Sequence, residues 1–93
     1  MSAKPLFVPL KAEWFDRFAD GTKDTEYRKY GPGWNERTVY VGRPVILSKG
    51  YSGARLDAVV VSFHLVEARN VPRATELYPP QTTLIAIKLN VDL

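Results

Sequence analysis

The chain contains no cysteine and a single histidine, His64. The first absence excludes disulfides and thiolate metal sites. The second would leave a zinc ion to be held almost wholly by carboxylates, against its preference for nitrogen and sulfur, so no metal or other cofactor is expected. A chain without cysteine fits the reducing cytoplasm, where we expect it. No apolar run approaches the ~20 residues that span a bilayer. Met1-Ser2-Ala3-Lys4-Pro5 leads into only a brief apolar stretch, so neither a membrane span nor a secretory signal is expected. Internal repeats, low-complexity tracts and linkers are also missing, and no spacing of serine, histidine and acid suggests a hydrolase triad.

What is present suffices for one small domain over residues 1–93. The chain is 45% hydrophobic and 12% aromatic, enough to bury a core without staples. Thirteen Lys+Arg against ten Asp+Glu give a net charge of +3, a mild bias toward anionic partners such as RNA. Leu6-Phe7-Val8 reads as a short strand bounded by Pro5 and Pro9, both expected at its ends. From Leu10 to Asp20 the apolar residues fall at 10, 14, 15 and 18, one helical face, and Gly21 supplies a left-handed stop. Trp14 and Phe15 on that stripe are expected in the core.

Thr22 to Tyr30 is β-prone, yet five of its nine residues are charged. Such a strand is either an exposed edge or the lining of a polar cleft. Gly31-Pro32-Gly33 breaks the chain, and Trp34 to Thr38 reads as a loop or single helical turn. Pro44 to Lys49 is a strand, Tyr51-Ser52-Gly53 a turn. Arg55 to Glu67 is the longest strand, apolar enough to be covered on both faces and bent at mid-length. Pro72 to Leu77 reads as a short helical turn, and Thr82 to Val91 as the last strand. The expected class is α+β, mainly β: a small barrel of five to six strands with one main helix after the first.

Gly21-Thr22-Lys23-Asp24-Thr25-Glu26-Tyr27-Arg28 fits the pattern G-x-K-x-x-E-x-R and stands after an amphipathic helix, opening a strand. Pattern and placement resemble the ASCH family. So do the glycine-arginine turn into the segment from Val41 to Lys49 and Tyr78-Pro79-Pro80-Gln81-Thr82 before the closing strand, so the resemblance covers nearly the whole chain. It implies a PUA-like barrel with a polar cleft between helix and motif strand, and a role in RNA binding or RNA metabolism. Small members of similar length hydrolyse N4-acetylated cytidine, and others are described as ribonucleases. In the amidohydrolases the motif lysine acts with a threonine three residues on and a glutamate from a later helical insert. The lysine corresponds to Lys23. The threonine position is Glu26 here, and only Ala68 to Pro80, with Glu76 as its one acid, stands where the insert would be. The departures count against that activity and leave the fold expectation intact.

The residues can also be read without the family. Lys23 beside Glu26 could act as a general base if desolvation lowered its pKa. Glu26 could instead accept from a base-edge amino group, and Arg28 could hold a phosphate or stack on a base. In the plainer alternative Glu26 and Arg28 are an ion pair that orders the strand, with Lys23 solvated. Tyr27, Tyr30, Trp34, Tyr40 and Tyr51 alternate with Arg28, Lys29, Arg37, Arg43, Lys49 and Arg55. That pattern suits base stacking above a charged track, or else core and loop-anchoring rings. Lys49-Gly50-Tyr51-Ser52-Gly53 could approach a phosphate through its backbone, or be an ordinary hairpin turn. His64, within an apolar strand, is expected as a core histidine. The candidate ligand contacts are therefore Lys23, Glu26, Tyr27, Arg28, Arg43, Lys49, Tyr51 and Ser52, with Lys23 and Glu26 as the candidate catalytic pair. The expected partner is RNA or a nucleoside-like ligand. A protein partner, with the barrel as scaffold, is the alternative that the fold leaves open.

Overall fold

A computed structural model describes residues 4–92; the Met1-Ser2-Ala3 lead read above lies outside them. The strands are β1 (Leu6–Leu10), β2 (Thr25–Lys29), β3 (Pro44–Lys49), β4 (Arg55–Glu67) and β5 (Thr83–Val91), and the helix α1 (Ala12–Ala19) follows β1. They form one sheet in the order β1-β3-β4-β5-β2, curled into a half-barrel. Only β1 and β3 are parallel; the other pairs are antiparallel. The mainly-β class with one helix after the first strand is the class expected.

The side-chain period of two sets the core. Val8 and Leu10 of β1, Val45 and Leu47 of β3, Val60 of β4, and Ile85, Ile87 and Leu89 of β5 face inward together. Phe15 and Phe18 of α1 close the same core, with Val39 from the loop before β3. The helix starts where Lys11 is still extended; the Trp14 and Phe15 amides donate to its carbonyl. It ends on Gly21, whose φ of +82° lets the Thr22 and Lys23 amides turn back to the Arg17 carbonyl.

Four expectations need correction. Pro9 lies inside β1, paired with Ser48, rather than beyond its end. β1 is an edge strand, where a missing N–H leaves no ladder bond unmade. The strand covered on both faces is β5, not β4: Leu84, Ile85, Ala86 and Ile87 are all buried in sequence, because Ala68, Ala74 and Tyr78 pack on the face opposite the main core. Beyond the register shift at Val60/Ser62, β4 instead exposes Val61 and Leu65. That shift is the expected mid-strand irregularity. His64 is exposed on this half of β4, so it is no core histidine. Trp14 is half-buried: its ring packs on the core margin and also lines the cleft described next.

Candidate functional site

The cleft is built at the seam of the half-barrel. β1 and β2 are the two ends of the sheet order and do not pair with each other. Glu26 and Arg28 stand opposite Ile87 and Ile85, so both side chains share the core-facing side of β2. Their charge is satisfied there. Arg28 Nε donates to Glu26 Oε2 at 2.9 Å, and its Nη2 donates to the Pro9 carbonyl at 2.8 Å. One guanidinium thus ties β2 to β1 across the open seam. The face of that guanidinium lies 4.6 Å from the centre of the Trp34 ring, within cation–π range.

Along the unpaired edge of β2 runs a solvent-open cleft of about 640 Å³. Its walls are α1 and the end of β1 on one side and the 71–78 segment on the other, with Lys23, Glu26, Tyr27 and Arg28 along its floor. The 71–78 wall is held by a 3₁₀ turn at Ala74–Glu76 and by Ala74 and Tyr78 packing on Leu84. The volume is of the size that small-ligand sites have.

Lys23 is the least conventional group in it. Its Nζ lies 5.3 Å from the ring centre of Trp14 and 5.6 Å from those of Phe18 and Tyr27. Burial among these rings pushes its pKa below the ordinary lysine value; the Glu26 charge opposes that shift, and Arg17 adds to it. Three aromatic faces stabilise the cation that desolvation disfavours.

Charge is distributed unevenly. Lys11, Arg17, Lys23, Arg28 and Arg73 line the cleft against only Glu26 and Glu76. Arg28 is paired with Glu26, and Arg73 with Glu76 at 3.2 Å. Lys11, Arg17 and Lys23 have no ion-pair partner among the described residues. The surplus of three at this one cleft equals the formal net charge of the whole chain.

Of the residues singled out from the sequence, the structure therefore brings Lys23, Glu26, Tyr27 and Arg28 together. The others lie elsewhere. Lys49 pairs with Asp16 at 3.1 Å, and Arg43 donates to the Lys4 and Thr38 carbonyls, pinning the loop that carries Val39. Tyr51 and Ser52 sit exposed in the turn before β4. Tyr30 donates to Glu36, and that bond raises the phenol's pKa while lowering the carboxyl's. Trp34 braces Arg28. Sequence reasoning missed Lys11, Trp14 and Arg17, and it reached the 71–78 wall only through the family resemblance, which set Ala68 to Pro80 with Glu76 in the place of the insert. The helical spacing of Trp14 and Arg17 was the available signal: three apart, they share a face, and the guanidinium lies 5.2 Å from the Trp14 ring centre.

Comparison with known protein families and with characterised proteins finds no match. Among the described residues there is no group of three or more His, Asp or Glu side chains that could hold a metal ion. No helix there is long and apolar enough to cross a membrane.

Proposed function

We propose that this chain is an ASCH-type domain whose cleft binds RNA or a nucleotide-like ligand in the cytoplasm. The observation that carries the reading is the concentration of the chain's positive surplus in one cleft that also presents the Trp14 and Tyr27 rings. Unpaired cations beside partly exposed rings offer a nucleotide its two principal contacts, phosphate neutralisation and base stacking. Glu26 and Arg28 hold each other, so their role in this reading is to shape the floor. Lys11, Arg17 and Lys23 meet the anion.

Titration of the labelled protein with short single-stranded RNA, cytidine and N4-acetylcytidine, followed by NMR and assayed for product, tests the reading. Shifts centred on Trp14, Lys23 and Tyr27, lost in Lys23→Ala, are expected. Shifts that avoid the cleft, or affinity indifferent to added salt, would reject the reading and favour a protein partner.

A second reading, hydrolysis of a modified cytidine or of RNA, has one specific observation behind it. Glu76 lines the same cleft as Lys23 and Glu26, and a lysine with a lowered pKa suits general-base work. Against it, both carboxylates are engaged by arginines. Product formed by the wild type and abolished by Lys23→Ala and by Glu76→Gln would establish the enzyme.

A further inference from the structure

A second hollow, of about 320 Å³, lies beside the cleft and shares Pro9, Leu10, Lys11 and Arg28 with it; Gly50 and Tyr51 complete its lining. We propose that this hollow is a subsite for a neighbouring nucleotide, with Tyr51 as its stacking platform, so that the ligand is a single-stranded nucleic acid rather than a free nucleoside. This rests on the reading of the cleft given above and extends it.

Three observations carry the subsite. Tyr51 is 79% exposed, yet its place in the turn is fixed. The Gly50 amide donates to the Leu10 carbonyl at 2.8 Å, and Arg55 Nη2 donates to the Tyr51 carbonyl at 3.1 Å. With the backbone held and only two side-chain torsions free, the ring loses little conformational entropy when a base covers it. Next, the surroundings suit an anion: the lining contains no carboxylate, and its Lys11 has no ion-pair partner among the described residues. The Phe7 ring stands 6.4 Å from that of Tyr51, with the Arg55 guanidinium 5.0 Å from the Phe7 ring centre. Finally, the geometry disfavours a peptide strand in the same place. The adjoining edge is β1, where Pro9 has no N–H to offer and its carbonyl is already taken by Arg28. Strand addition, which relies on such groups, loses two bonds there.

The test compares cytidine monophosphate with a short oligocytidylate RNA on the wild type, Tyr51→Ala, Tyr51→Trp and Lys23→Ala. The wild type should bind the oligomer more tightly than the monophosphate. Tyr51→Ala should lower that ratio by roughly tenfold or more, and Tyr51→Trp should keep it, as base stacking on an aromatic predicts. Lys23→Ala should weaken both ligands. An oligomer preference unchanged in Tyr51→Ala overturns the subsite while leaving the cleft reading in place. Equal affinity of the wild type for both ligands does the same. No binding of either ligand by the wild type overturns both. Tyr51 is on the surface, so its substitution leaves the fold available for these comparisons.

Discussion

At Arg28 a single guanidinium serves the Glu26 carboxylate, the Pro9 carbonyl and the Trp34 face. Arg28→Ala would leave Glu26, only 13% exposed, without its ion-pair partner. We expect a loss of about 2–3 kcal/mol in urea unfolding, and Arg28→Lys, lacking the fork geometry, should recover only part of it. A loss under about 0.5 kcal/mol would show that the seam does not depend on this side chain. Lys23 differs in kind, since burial sets its behaviour. Followed by NMR, its ammonium should lose its proton at lower pH than the other lysines. Between that lowered pKa and the ordinary value, the unfolded chain holds a proton the folded one has released. Stability therefore gains from this group as pH rises through that window. A Lys23 titrating with or above the rest would contradict its desolvation.

Among the elements, α1 was the most legible, because its apolar period and its glycine stop are local properties. Gly21 takes φ +82° with no atom near a would-be Cβ. Gly21→Ala should thus cost only the backbone strain, about 1–2 kcal/mol. Gly31→Ala, with equal room and no positive φ, should stay within about 0.5 kcal/mol of the wild type. Matched thermal melts of the two variants isolate the strain, since neither position is crowded. Gly53→Ala should be worse than either, because a Cβ there meets the Lys49 carbonyl. Strand positions were legible too, to within a residue or two for β3, β4 and β5. Which strand is covered on both faces was not. Val59-Val60-Val61 and Leu84-Ile85-Ala86 look alike in composition, and only the packing of Ala68, Ala74 and Tyr78 onto β5 distinguishes them.

For the whole molecule, the charged strand from Thr25 to Lys29 announced either an exposed edge or a cleft, but not what faces it. Trp14 and Glu76 come to the cleft through the tertiary fold, from a helix and from a turn far along the chain, so spacing alone could not join them to Lys23. The three uncompensated cations make a quantitative prediction. Affinity for single-stranded RNA should fall with a log–log salt slope of about −2, the value expected when three phosphates are neutralised. A slope near zero would mean that the charge surplus has no part in binding. The same topology bears on how the protein is made. β2 pairs only with β5, the described strand farthest from it along the chain. Contacts so distant along the chain form late. Lys23, Glu26 and Arg28 emerge early and wait for β5 to give them a scaffold, so a truncated or stalled chain would lack the cleft floor, however well α1 had formed.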